Sequence, residues 1–146
     1  MIRGLSHVGI SVRNLDRSIS FYEGAFGLTV ASKSNFAAGS YDGKYEAILG
    51  VTGASGRVAL LKGPGLDLEL FEFSYPTPRT AEPNRPVCDH GISHFCVGVQ
   101  DIDGEYERLK AAGVVFHCPP QRFAGVAAAT YGRDPDGNVF ELVERY

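Results

Sequence analysis

Two stretches of the chain share one alternation of apolar and polar residues. In His7-Val-Gly-Ile-Ser-Val12, side chains two apart lie on one face of an extended strand. Val8, Ile10 and Val12 therefore share one face, and His7, Gly9 and Ser11 the other. His94-Phe-Cys-Val-Gly-Val99 repeats the pattern, with Phe95, Val97 and Val99 opposed to His94, Cys96 and Gly98. After each run comes a polar break and then helical spacing. The first helix carries Ile19, Tyr22 and Phe26, with Asp16 as candidate N-cap and Gly27 as stop. The second carries Ile102, Tyr106 and Leu109, with Gly113 at the C-terminal cap position. Each half closes on a matching strand, Leu68-Glu-Leu-Phe-Glu72 and Phe140-Glu-Leu-Val-Glu144. Between helix and closing strand lie two further strand candidates per half, 28–35 with 56–62 and 114–117 with 127–131. Asp134-Pro-Asp-Gly137 is a turn signal before the last strand.

The chain of 146 residues thus reads as one α+β domain built twice, each half β-α-β-β-β. The expected boundaries are an N-terminal module over 1–75, a proline-rich extended linker over 76–90 with Pro76, Pro78, Pro83 and Pro86, and a C-terminal module over 91–146. Gly39 to Gly53, with four glycines, Tyr41, Tyr45 and Glu46, has two readings: a flap over a site, which is favoured, or an irregular excursion.

Composition narrows the function classes. Apolar residues at 44% and charged residues at 21% are ordinary for a globular domain. A net charge of −3 without a basic cluster argues against nucleic acid. No apolar run nears the roughly 20 residues of a membrane span, and Met1 to Asp16 has no apolar signal core. Cys88, Cys96 and Cys118 form no CxxC pair, so a reduced, cytoplasmic protein is expected. Neither a phosphate-binding glycine loop nor a nucleophile elbow is present.

The chemistry lies on the polar strand faces. Leu68 and Leu70, like Phe140 and Leu142, face the core, so Glu69 and Glu141 point the other way. Two modules related by a pseudo-twofold would bring His7, Glu69, His94 and Glu141 together. Two imidazoles and two carboxylates suit one borderline divalent ion (Fe, Co, Ni, Mn or Zn) and neutralise its charge. Four ligands on an octahedral ion leave two adjacent positions for a substrate with neighbouring oxygens. A lone strand histidine is usually a hydrogen-bonded structural residue, and a lone strand glutamate usually faces solvent. Repetition at equivalent positions, beside small residues, lifts these four above that reading, and a carboxylate in an apolar strand without a partner is costly. Glu72 and Glu144 receive the solvent-facing reading and no role. Ser11, Phe71, Phe73, Cys96, Tyr131 and Arg133 are candidate pocket residues, the two phenylalanines as an apolar wall beside Glu69. His117 and His90 read as surface residues, and Cys118 lacks an activating partner.

These motifs, with Phe21-Tyr22, Phe26-Gly-Leu28 and Asp134-Pro-Asp-Gly-Asn-Val-Phe-Glu-Leu142, resemble the vicinal oxygen chelate superfamily: glyoxalase I, methylmalonyl-CoA epimerase, extradiol dioxygenases, and fosfomycin and bleomycin resistance proteins. The resemblance implies a cupped mixed sheet with helices outside, a homodimer, and chelation of vicinal oxygens. It also implies that carboxylates at the Glu69 and Glu141 positions move a proton in isomerase-like members. Ser11 stands where glutathione-dependent glyoxalase I has an arginine, and Phe73 where it has an asparagine, which weighs against that reaction. Glu69 replaces the glutamine usual in methylmalonyl-CoA epimerase. His7, His94 and Glu141 match the extradiol triad, but that class usually has four modules. Bleomycin-binding members lack the ligands. The expected function is metal-assisted proton transfer, isomerisation or lyase chemistry on a small, partly apolar substrate. Ring-cleaving dioxygenation at Fe(II) and non-catalytic sequestration are the alternatives.

Overall fold

The alternating runs form strands and the 3.6-period stripes form helices. In the computed structural model, which describes residues 1–79 and 82–146, the chain divides into two compact units, Met1–Thr80 and Ala81–Tyr146. The first unit contains β1 (Val8–Ser11), α1 (Leu15–Phe26), β2 (Thr29–Phe36), a 3-10 turn (Ser40–Gly43), α2 (Lys44–Leu49), β3 (Ser55–Gly63) and β4 (Leu66–Tyr75). The second contains β5 (Phe95–Gly98), α3 (Ile102–Ala111), β6 (Val115–Phe116), β7 (Gln121–Phe123), β8 (Ala127–Arg133) and β9 (Val139–Arg145). Strand order is β1-β4-β3-β2 in the first sheet and β5-β9-β8-β6 in the second, with β7 added against β8. The opening and closing strands of each unit pair in parallel, and the other pairings are antiparallel. The sequence did not signal β7, a fully exposed edge segment without an apolar face.

One face of each sheet is covered by its helix. Leu15, Ile19 and Tyr22 of α1 are buried, as are Leu68 and Leu70 of β4. In the second unit Ile102, Tyr106 and Leu109 of α3 are buried, as are Phe140 and Leu142 of β9. Burying a side chain of this size contributes about 1.5–3 kcal/mol. The α1 stop is as expected: Gly27 adopts φ 65° and its N–H donates to the Glu23 carbonyl, a left-handed cap that glycine enters without a Cβ penalty. The N-cap differs. Asn14, not Asp16, accepts the Arg17 N–H, and Asp16 instead pairs with Lys33 and Arg57.

The solvent-facing reading of Glu72 and Glu144 is also corrected. Each lies three residues beyond its candidate ligand, on the opposite face of the strand. Glu72 Oε2 accepts the Leu15 N–H at 2.6 Å, at the first turn of α1, and an Arg57 N–H at 2.6 Å. Glu144 accepts the Asp101 N–H at 2.9 Å and the Ile102 N–H at 3.4 Å, at the start of α3. Both carboxylates satisfy N–H groups that a helix leaves unpaired and sit at the positive end of its dipole.

One more expectation changes. The linker is not extended throughout: Arg85 N–H donates to the Glu82 carbonyl and Asp89 N–H to that of Pro86, so this stretch turns. Thr80 and Ala81, inside the linker, lie outside the described residues. The 39–53 segment is folded as a 3-10 turn and a short helix. The Glu46 carboxylate accepts the N–H groups of Gly39 and Gly53 and so closes the segment at both ends, and these bonds hold its pKa below the usual carboxylate range. In the last hairpin, buried Asp134 accepts N–H groups of Asp136 and Asn138, which fixes the predicted turn.

Candidate metal centre

Register places the candidate ligands. In the first unit Gly9 on β1 is opposite Glu69 on β4, between Val8–Leu68 and Ile10–Leu70, so Glu69 and Gly9 share the face turned away from α1. His7, two residues before Gly9, brings its Nε2 to 3.4 Å from Glu69 Oε2. A Cβ on Gly9 would meet nothing within 4 Å, so the space above this face is open. The second unit repeats the arrangement. Cys96 is opposite Glu141, and His94 Nε2 lies 3.2 Å from Glu141 Oε2.

The two pairs differ in setting. The His7 and Glu69 side chains are 40% and 32% exposed, those of His94 and Glu141 only 26% and 19%. Glu69 is flanked across the sheet by Gly9 and Leu60, Glu141 by Cys96 and Tyr131. The Cys96 thiol is pushed up to about 11, first by burial and then by its hydrogen bond to the Glu141 carboxylate and that group's charge. It is therefore a neutral donor to Glu141, not a thiolate. The Tyr131 ring packs 4.7 Å from that of His94, and burial and the charge of Glu141 raise its hydroxyl pKa. Ser93, absent from the sequence candidates, places its Oγ 2.9 Å from His94 Nδ1. The repeated Ser-His dipeptide, Ser6-His7 and Ser93-His94, was its signal.

A fit to a metal can be tested on donor spacing. Nitrogen and oxygen ligands sit at about 2.0–2.2 Å from such an ion, so two at adjacent positions lie about 3 Å apart. The His–Glu separations of 3.4 Å and 3.2 Å match that spacing. Each pair on its own supplies two donors. Among the described residues no group of three or more His, Cys, Asp and Glu side chains is placed as a complete cage.

The remaining candidates divide. Phe71 and Phe73 stack on each other with centroids 5.6 Å apart and meet Phe36 edge-on, while Tyr45 from α2 stacks on Phe36 at 5.2 Å. The 39–53 segment therefore completes an aromatic wall on the first unit. Ser11 is exposed and pairs in register with Phe71. Arg133, a candidate pocket residue, clamps the backbone: it donates to the carbonyls of Pro83, Arg85 and Gly137 and, through Nε, to His117 Nε2. All three cysteines are free. Among the described residues no helix is long and apolar enough to cross a membrane.

Duplicated units with matching strand order and His–Glu pairs define the class. Residues 4–142 match the Glyoxalase/Bleomycin resistance protein/Dioxygenase superfamily, and the chain belongs to it. Among curated relatives, it is 28% identical to a lactoylglutathione lyase of Arabidopsis thaliana over 98% of this chain and 44% of that protein. It is 32% identical to a 2-epi-5-epi-valiolone epimerase of an Actinomyces species over 72% of this chain and 56% of that protein. The chain thus spans less than half the length of the plant lyase. Among solved structures, a glyoxalase family protein of Bacillus cereus superposes with a TM-score of 0.87 at 23% identity, covering 99% and 95% of the two chains. A genomically encoded fosfomycin resistance protein of Listeria monocytogenes superposes with a TM-score of 0.66 at 23% identity, covering 100% and 96%.

Proposed function

We propose that the protein is a divalent-metal-dependent enzyme, working as a homodimer, that chelates two vicinal oxygens of a small, partly apolar substrate and transfers a proton beside them, as an isomerase or lyase. The observation that carries this reading is the duplicated His–Glu pair, with donors 3.4 Å and 3.2 Å apart on matching strands. His7, Glu69, His94 and Glu141 are the residues that would hold one ion of Fe, Co, Ni, Mn or Zn. Bound there, the ion supplies Lewis-acid polarisation of the two oxygens. A mutant of a fosfomycin resistance protein 25% identical to this chain, with a TM-score of 0.62, has been solved with Mn(II) and dihydroxypropylphosphonic acid, a vicinal diol, which supports the reading.

The chain's own residues then divide the work. Ser93 Oγ lies 2.9 Å from His94 Nδ1, so with Nε2 given to an ion the Nδ1–H would donate to that hydroxyl, the orienting contact expected for a ligand imidazole. Glu141 is held by the Cys96 thiol and crowded by Tyr131, so it acts mainly as a fixed ligand. Glu69 has Gly9 and Leu60 beside it and open space above Gly9, so its carboxylate oxygen is the freer to take a proton from the substrate carbon and return it. The half-buried Phe71 and Phe73 border the apolar part of the substrate, with buried Phe36 packed behind them. Ser11 and Phe73, at the positions compared above with glutathione-dependent glyoxalase I, weigh against a glutathione tail.

Elemental analysis of protein purified without chelator should find about one divalent ion per chain, following the four-ligand count. His7→Ala and Glu141→Ala should each lose it; full retention in both refutes the site. The metal-reconstituted protein is then assayed on ketols, 2-oxo compounds, fosfomycin and catechols, with and without O₂. Deuterium uptake from solvent into product under nitrogen supports proton transfer. O₂ consumption with catechols, lost in Glu141→Ala and kept in Glu69→Ala, overturns it in favour of dioxygenation. Tight binding without turnover overturns it in favour of sequestration.

A further inference from the structure

A row of chemistry-bearing side chains crosses the second sheet on the face of Glu141. Cys96 pairs with Glu141, Glu141 with Tyr131, and the His117 N–H donates to the Tyr131 carbonyl at 2.8 Å, so the row runs Cys96, Glu141, Tyr131, His117. The His117 ring stands edge-on to Tyr131 at 6.1 Å. His117 is exposed, as the sequence reading has it, and its ring is nonetheless held. Arg133 Nε donates to its Nε2 at 3.1 Å, and the Arg133 guanidinium is anchored by three backbone carbonyls. A guanidinium is always protonated. The imidazole nitrogen facing it must therefore be the lone pair, and the proton sits on Nδ1. Burial, and then the Arg133 charge, lower the His117 pKa, which keeps the ring neutral. Among the described residues, Nδ1 has no hydrogen-bond partner. The corresponding row of the first unit, Gly9, Glu69 and Leu60, carries no such donor.

Resting on the metal-centre reading above, we infer that His117, fixed by Arg133, donates its Nδ1–H to a third oxygen of the substrate, remote from the chelated pair, and that this oxygen belongs to an anionic group such as a carboxylate. Reach and charge both point that way. His117 lies two strands from Glu141, about 9–10 Å at the usual strand spacing, too far to share the chelated oxygens and suited to a substrate tail. The fixed cation behind the imidazole favours a negative acceptor. His117 is thus a specificity-determining residue, with Arg133 as its positioning residue.

The test compares acetohydroxamate with glutaric monohydroxamate, two vicinal-oxygen chelators that differ in a distal carboxylate, on zinc-loaded full-length protein. The wild type should bind the carboxylate-tailed probe about tenfold more tightly, the expected worth of a hydrogen bond to a charged group. His117→Phe, which keeps the ring and removes both nitrogens, should abolish that preference without changing zinc content or acetohydroxamate affinity. His117→Asn keeps a donor near the Nδ1 position but cannot reach Arg133. It should retain most of the preference, which a purely structural role would not allow. In metal-free protein, nitrogen-15 NMR of the imidazole should show the neutral Nδ1–H tautomer at neutral pH. Equal affinity for the two probes, a preference that persists in His117→Phe, or the opposite tautomer overturns the inference and leaves the metal centre standing. Wild-type protein that takes up no zinc and binds neither probe overturns both.

Discussion

Replacing Glu72 by alanine should destabilise the protein without emptying the proposed metal centre. Its carboxylate accepts the Leu15 N–H and an Arg57 N–H, both at 2.6 Å, with the side chain 27% exposed. A hydrogen bond to a charged group contributes about 1.5–3 kcal/mol, with the lower end fitting this partly exposed setting. The Arg57 pair adds less than about 1 kcal/mol, as surface pairs do, and Asp16 still holds that guanidinium. The expected loss is about 2 kcal/mol, or about 4–8 °C in melting temperature for a domain of this size. Glu72→Gln should lose about half as much, because the amide oxygen still accepts from Leu15 while the charge is gone. Burial pushes the Glu72 pKa up, but the Arg57 and Leu15 hydrogen bonds outweigh it and the net value is below the usual range. A carboxylate lowered in the folded state stabilises fully above its unfolded value, about 4.3, and loses that contribution as pH falls through the folded value. The gap between wild type and Glu72→Ala should therefore close in acid. Thermal unfolding followed by circular dichroism across pH, with metal content measured alongside, checks all of this. A melting temperature within about 1 °C of wild type at neutral pH refutes the capping role, and loss of metal refutes the assignment of Glu72 and Glu69 to opposite faces.

Glu144→Ala should produce the parallel loss at α3, and the two changes should add, since they share no partners and lie in separate units; denaturant unfolding of the double variant checks this. Glu46→Ala should release the 39–53 segment from its Gly39 and Gly53 bonds, read as faster limited proteolysis within it. In wild type the same release should occur only in acid, since those bonds hold the Glu46 pKa below its usual range. Leu142→Ala, at a fully buried position, should cost about 2–5 kcal/mol in urea unfolding. On the proposed function, stripping the protein with a chelator should abolish turnover and leave the circular dichroism spectrum in place, because none of the proposed ligands lies in a hydrophobic core.

Most of the fold was legible along the chain, because strand and helix periodicities are local and this chain writes them twice. Alternation alone put His7 with Gly9, and His94 with Cys96, on one face. The LEL and FEL triplets turned Glu69 and Glu141 away from the cores, as the paired strands do. Residues whose roles depend on distant partners were not legible. Glu72 and Glu144 looked like solvent-facing strand glutamates because the helix ends they cap are 57 and 42 residues away in sequence. Asp16 fitted an N-cap by type, but Asn14 holds the cap while Arg57 and Lys33 draw Asp16 aside. Arg133 suggested a substrate contact by its place before the last hairpin; its engagement by carbonyls 48 and 50 residues earlier was not legible. His117 became a held group only once β8 placed Arg133 and Tyr131 beside it. Periodicity fixes which face a side chain occupies, whereas hydrogen-bond partners and the tautomers they impose are set by chain segments that meet only after the sheets have formed.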